Sequence, residues 1–128
     1  MRGVSILGST GSIGRSALAV IKRHPDRFRV VALAAHQRAD ELAAQCREYN
    51  PAFTALVSGA SHNGWRTGAA ALIDAATHPE ADIVINAVVG SAGLEATLAA
   101  LHAGKRLALA GPRVAPPGGA RSRAARAR

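Results

Sequence analysis

The chain has 128 residues, of which 48% are hydrophobic and only 3% aromatic, with a single cysteine and a formal net charge of +8 at neutral pH. That is room for one domain rather than two, and no run approaches the roughly 20 apolar residues of a membrane span. The apolar run after Met1-Arg2-Gly3 breaks at Gly8, which argues against a signal peptide, and lone Cys46 cannot form an internal disulfide, so a cytoplasmic location is expected.

Gly3 to Gly8 reads as a short buried strand. Residues 12–23 follow helical spacing, with Ile13, Ala17, Val20 and Ile21 on one face and Pro25 just past the end. Arg29 to Ala35 is a second strand. Residues 39–49 form a second helix with Leu42, Cys46 and Tyr49 inward, and Pro51 follows. Phe53 to Val57 is a third strand, Ser58 to Thr67 a polar loop, and residues 68–76 a third helix. Asp82 to Val88 carries the strongest strand pattern of the chain. Gly90-Ser91-Ala92-Gly93 then reads as a turn, residues 94–103 as a fourth helix closed by Gly104, and Arg106 to Ala110 as a fifth strand.

Strands alternating with helices through short connections predict a Rossmann-like, doubly wound α/β fold. Its sheet is mainly parallel, with helices on both faces. Much of the apolar content is alanine, so the helices are expected to pack closely on the sheet. Residues 1–110 form this domain. Residues 111–128 lack periodicity, begin with Gly111-Pro112 and end in Ala, Arg and Ser only, which reads as a disordered tail.

The charge divides along the same boundary. Residues 1–110 hold 11 Lys/Arg against 8 Asp/Glu, and residues 111–128 hold five arginines and no acid. The body is therefore +3 and the tail +5. A flexible cationic tail attracts phosphates in a salt-dependent way but reads no sequence, so nucleic-acid binding is disfavoured.

The chemistry lies in Gly8-Ser9-Thr10-Gly11-Ser12-Ile13-Gly14, between the first strand and the first helix. Glycine permits positive φ and close backbone approach. The helix start aims free amides and the positive end of its dipole at the same point, which favours a pyrophosphate. Thr10 and Ser12 add hydroxyl donors. A phosphate loop for ATP or GTP is rejected: Ser9 stands where its first glycine belongs, and Arg15 where its lysine belongs.

The second strand ends in Ala34-Ala35-His36-Gln37-Arg38, with no acid before Asp40. An acidic residue there would bond the ribose 2′-hydroxyl of NAD, whereas an arginine accommodates the 2′-phosphate of NADP. Arg38 can pair with that phosphate and Gln37 can donate to it, so NADP is preferred. Elsewhere the chemistry is sparse. The five histidines are scattered, and none pairs with Cys46 at metal-ligand spacing. His62 and His78 read as solvated loop residues, and Cys46 as a core position. Trp65 has no aromatic neighbour for base stacking. Asn86 is the notable polar residue of a buried strand, near the end that would face a nicotinamide.

At Ile6-Leu7-Gly8-Ser9-Thr10-Gly11-Ser12-Ile13-Gly14 the chain resembles the start of 1-deoxy-D-xylulose 5-phosphate reductoisomerases. The likeness continues through His24-Pro25-Asp26-Arg27-Phe28-Arg29-Val30-Val31-Ala32-Leu33, and from Ala81-Asp82 through Asn86-Ala87-Val88-Val89-Gly90-Ser91-Ala92-Gly93-Leu94. Thr97-Leu98-Ala99-Ala100 and Gly104-Lys105-Arg106-Leu107-Ala108-Leu109-Ala110 complete it.

The resemblance implies an NADPH-dependent oxidoreductase of non-mevalonate isoprenoid biosynthesis that acts on a sugar phosphate with a divalent metal, Mg or Mn. Carried over by position, Thr10, Gly11, Ser12 and Ile13 would hold the pyrophosphate region, and His36, Gln37 and Arg38 would meet the adenosine 2′-phosphate. The family usually has glycine where this chain has His36. It also continues with Asn-Lys-Glu-Ser where this chain has Gly111-Pro112-Arg113-Val114. The expectation is thus an N-terminal NADPH-binding part alone, truncated or frame-shifted after Ala110. It would carry no catalytic residue and no metal ligand, be inactive by itself, and leave exposed the apolar surface on which further structure normally docks. The homodimer usual in the family is not readable from these residues. A stand-alone NADP-binding sensor or partner module is the alternative.

Overall fold

The computed structural model describes residues 1–58 and 64–109. In chain order the elements are β1 (Arg2–Leu7), α1 (Ser12–Lys22), β2 (Phe28–Ala35), α2 (Ala39–Tyr49), β3 (Phe53–Leu56), β4 (Arg66–Thr67), α3 (Ala69–Ala76), β5 (Ile83–Asn86), α4 (Gly90–His102) and β6 (Arg106–Leu109). The expected tail, and His62, lie outside the described residues.

Every strand pairing is parallel, and the order across the sheet is β4-β3-β2-β1-β5-β6. The chain winds outward from β1 through β2 and β3, then crosses back to lay β5 on the other side of β1. The sheet therefore reverses its winding at β1, and the carboxyl ends of β1 and β5 flank the crevice where doubly wound folds bind ligands.

Alternation of side chains on the strands feeds two cores. On one face, Val4, Ile6, Val30, Leu33, Ala35 and Leu56 pack under Leu18 and Ile21 of α1 and Leu42 of α2. On the other, Leu7, Val31, Ala32, Ala34, Ala55 and Val84 meet Ala71, Leu72, Ala75 and Ala76 of α3 and Ala96 and Ala100 of α4. The buried alanines lie mainly in this second core, where short side chains let both helices lie close to the sheet. The β1–β2 register slips by one residue between Val4 and Ser5. Gly3 lies at the same end of the sheet, and a Cβ there would meet the Glu80 carbonyl oxygen at 2.1 Å.

Helix ends follow familiar chemistry. α2 carries Asp40 and Glu41 in its first turn and stops at Asn50, which is left-handed (φ 51°) ahead of Pro51. α4 closes in a Schellman motif: the Gly104 amide donates to Leu101 O and the Lys105 amide to Ala100 O, with Gly104 at φ +80°.

Three expectations are corrected. The buried residues of α1 are Gly14, Leu18 and Ile21, while Ile13 and Val20 are exposed. Ile21 is buried as expected and Ala17 packs against that core; Ile13 and Val20 lie at the edge of an apolar stripe wider than the face the sheet covers, which spacing alone could not trim. Gly90 to Gly93 is the first turn of α4 rather than a separate turn. Arg66 and Thr67 add a short edge strand within the expected loop.

Candidate functional site

The site is built where β1 ends. Past Leu7, the amides of Gly8 and Ser9 both donate to Ala34 O of β2, at 2.8 and 3.0 Å, and the Gly11 amide turns back to Gly8 O at 3.2 Å. Gly8 adopts φ +85°, a conformation that glycine takes without strain, and lies against Ala87 at the exit of β5. Gly14 has another function. A Cβ there would stand 2.3 Å from Gly8 O and 2.6 Å from Ser9 Cα, so the bare glycine is what lets α1 press on its own entry loop.

The start of α1 is electrostatically open. Gly11 takes the N-cap position and no side chain caps the helix. The Arg15 amide, bonded to Gly11 O at 2.9 Å, is the first of the helix to find an acceptor among the described residues. The amides of Thr10, Ser12, Ile13 and Gly14 are left for a ligand or water. Thr10 is buried in the loop, whereas Gly11, Ser12 and Ile13 are exposed above it, Ile13 by 51%.

His36, Gln37 and Arg38 follow β2, the strand directly beside β1, so both groups of expected site residues share one edge of the sheet. All three are exposed. The loop is fixed by Ser58 N donating to His36 O at 2.7 Å and Ala39 N donating to Gln37 O at 3.1 Å. Gln37 and Arg38, with Ala39, Asp40 and Glu41, line a shallow cavity of about 390 Å³. Arg38 is the N-cap residue of α2, and its guanidinium approaches Glu41 Oε1 at 3.4 Å. Glu41 Oε2 meets Arg15 of α1 at 3.5 Å, so one carboxylate bridges two arginines at the rim. Pairs this exposed hold their partners only weakly.

Two contributors escaped the sequence reading. Gln45, on α2, donates from Nε2 to Ser9 O at 2.8 Å. Glu41 supplies the carboxylate just described. Neither belongs to a local motif, and only the packing of α2 beside the glycine loop brings them there. Asn86, noted for its position, has its whole amide engaged: Nδ2 donates to Gly93 O and Thr97 Oγ1 at 2.9 and 2.8 Å, and Oδ1 accepts from Val88 N at 2.9 Å. It ties β5 to α4.

The remaining candidates are structural. Cys46 packs under α2, with its sulfur 3.3 Å from Thr54 Oγ1. His78 is half-buried rather than solvated. It lies against Phe53, with ring centroids 6.0 Å apart, and accepts the Glu80 amide at Nδ1. Among the described residues no three His, Cys, Asp or Glu side chains come together as a metal ion would require. No helix among them is long and apolar enough to cross a membrane.

Comparison with known proteins adds to this geometry. The family model described as 1-deoxy-D-xylulose 5-phosphate reductoisomerase matches residues 4–112. The 1-deoxy-D-xylulose 5-phosphate reductoisomerase of Ralstonia nicotianae is 48% identical over 123 residues, covering 86% of this chain and 31% of that protein. That of Thermomicrobium roseum is 51% identical over 113 residues, covering 84% and 29%. Among solved structures, the Zymomonas mobilis reductoisomerase in complex with NADPH superposes with a TM-score of 0.79 at 38% identity, over 85% of this chain and 31% of that one. A DOX-P reductoisomerase in complex with magnesium gives the same TM-score and identity, over 86% of this chain and 30% of that one. The chain thus spans about 30% of the length of these relatives.

Proposed function

Because the chain belongs to the 1-deoxy-D-xylulose 5-phosphate reductoisomerase family, we propose that its residues 1–110 are the NADPH-binding part of such an enzyme. The full-length protein would rearrange 1-deoxy-D-xylulose 5-phosphate and reduce it to 2-C-methyl-D-erythritol 4-phosphate in non-mevalonate isoprenoid biosynthesis. Bound NADPH supplies the hydride for that reduction. The residues of this chain hold it.

The observation that carries the reading is the uncapped run of amides at the start of α1, set at the point where the sheet reverses its winding. Thr10, Ser12 and Ile13 present backbone donors to the pyrophosphate, Gly11, whose own amide is turned to Gly8 O, lets the loop approach it closely, and the Ser12 hydroxyl adds one more donor. On the neighbouring strand end, Gln37 donates to the adenosine 2′-phosphate and Arg38 pairs with it, beside His36. Phosphate competes well with Glu41 for this arginine, because it offers more acceptor oxygens and more charge. The described residues offer no cluster for a divalent metal. The chain by itself is accordingly proposed to bind NADPH without turning over the sugar phosphate.

A paired titration with NADPH and NADH tests this. NADPH is expected to bind more tightly, and Arg38→Ala to weaken NADPH by about tenfold or more while leaving NADH nearly unchanged, as loss of a charge-assisted contact worth roughly 1.5–3 kcal/mol implies. Equal affinities in the unaltered chain would remove the 2′-phosphate assignment.

A further inference from the structure

We propose that Gln45 is a positioning residue of the cofactor loop: by donating to the Ser9 carbonyl it turns the Thr10 amide toward the pyrophosphate. The proposal rests on the nucleotide-binding reading above and deepens it. Gln45 touches no ligand itself. It sits on α2, 36 residues beyond Ser9 in sequence, and reaches across to the loop with a 2.8 Å hydrogen bond.

No peptide bond among the described residues is cis. The Ser9 carbonyl and the Thr10 N–H belong to one planar trans unit and point in opposite directions. Holding the carbonyl toward α2 therefore sends the N–H away from α2. In the sheet, α2 covers the β2 side of β1, and the opposite side is β5, which borders the crevice. The Thr10 amide finds no acceptor among the described residues and is free to face an anion there.

The chemistry of the contact is unambiguous. A backbone carbonyl only accepts, so the nitrogen end of the Gln45 amide must face it. The other end, Oε1, is buried without a hydrogen-bond partner among the described residues, as is the Ser9 hydroxyl. No other side chain among the described residues bonds the Ser9 carbonyl. The Gly8–Gly11 turn, closed by the Gly11 amide on Gly8 O at 3.2 Å, already disfavours the reverse orientation, because flipping its central Ser9–Thr10 peptide would drive β-branched Thr10 to positive φ. The donor from α2 adds to that preference by holding the carbonyl itself from across the loop.

The test measures NADPH and NADH affinity, with thermal midpoints, for the full chain carrying Gln45→Met or Gln45→Glu. Methionine keeps the length and removes the donor. It is expected to weaken both dinucleotides alike, by about tenfold, because the pyrophosphate is common to them. Glutamate places a carboxylate against a carbonyl near pH 8 but regains a donor when protonated. Its deficit relative to the unaltered chain in the same buffer is expected to shrink on going to about pH 5. A role confined to packing would move the thermal midpoint together with the affinity at both pH values, whereas loss of the donor lowers affinity in a chain whose midpoint is kept. A methionine variant that binds like the unaltered chain, or a glutamate deficit independent of pH, overturns this inference alone. Failure of the unaltered chain to bind either dinucleotide overturns the nucleotide reading and this inference with it.

Discussion

One methyl group distinguishes the glycines of the loop. At Gly14 an added Cβ would meet only backbone, with Gly8 O at 2.3 Å, Ser9 Cα at 2.6 Å and Ser9 C at 2.9 Å, none of which can swing aside. At Gly11 the nearest atom is Gly8 O at 3.6 Å, an ordinary contact, and φ is −78°. Gly14→Ala is therefore expected to cost about 1–3 kcal/mol in chemical denaturation and to loosen the nucleotide. Gly11→Ala should change stability by less than about 1 kcal/mol. Equal losses at the two positions would refute the packing explanation. In the sequence these glycines look alike, since a motif records where glycine occurs and not which atom occupies the missing Cβ. At the far end of α1, Lys22 and Tyr49 respond to alkali. The Glu48 carboxylate, by hydrogen bond and then by charge, raises the Lys22 ammonium above 10.5, and burial raises the Tyr49 phenol above 10.0. Both folded values exceed the unfolded ones, so what these groups add is fully present below about pH 10 and fades as the pH climbs through the raised values. The thermal midpoint should fall over that alkaline window, and less steeply in Lys22→Met, whose side chain carries no charge to lose. Identical slopes would show that the ion pair contributes nothing, as is common for exposed pairs.

Between elements, the decisive contacts were the least legible. The strand–helix alternation could be read because parallel strands in this chain are short apolar runs bounded by glycine, proline or charge. The parallel, doubly wound character of the sheet followed from short connections and crossover handedness, whereas the strand order came only with the structure. Gly90 and Gly93 misled: side by side they resemble a turn, yet they begin α4. Gly90 takes φ +83° at the entry, and Gly93 is needed because a Cβ would stand 2.1 Å from Val88 O. β4 is two residues long, too short for any periodicity to register. Asn86 is what joins this glycine-rich turn to the sheet, using both ends of its amide. Asn86→Leu removes these bonds while keeping a similar volume, and leaves the Val88 amide and Gly93 carbonyl without this partner. A loss of about 2–3 kcal/mol is expected, with faster hydrogen exchange confined to the first turns of α4. Unchanged protection there, against an equal loss of stability, would mean that the damage lies in β5 instead.

Across the whole molecule, α4 departs from the usual division of a surface helix. Its buried residues are small, Gly93, Ala96 and Ala100, while Leu94 and Leu98 are exposed by 59% and 57%, with Val89 at its N-cap exposed by 83%. Apolar residues thus stand on both sides, and a helical wheel cannot say which side meets the sheet. Alanine supplies the answer only once the close approach of α3 and α4 is seen. The exposed leucines sit four residues apart on one stripe, where two side chains reinforce each other. If they contribute nothing to the core, replacing them should cost the fold little. Leu94→Lys combined with Leu98→Lys is expected to shift stability by less than about 1 kcal/mol, as surface substitutions do. If the apolar stripe drives self-association of the unaltered chain, sedimentation or light scattering should show less of it in the double variant, because charge replaces the stripe. The two readouts are independent. A double variant that unfolds would place the leucines in the core and reverse the assignment of the faces of α4. One that stays folded but associates as strongly as before would move the sticky surface elsewhere, to Val89, Ile13, Val20 or Met1, the other large apolar side chains open to water among the described residues.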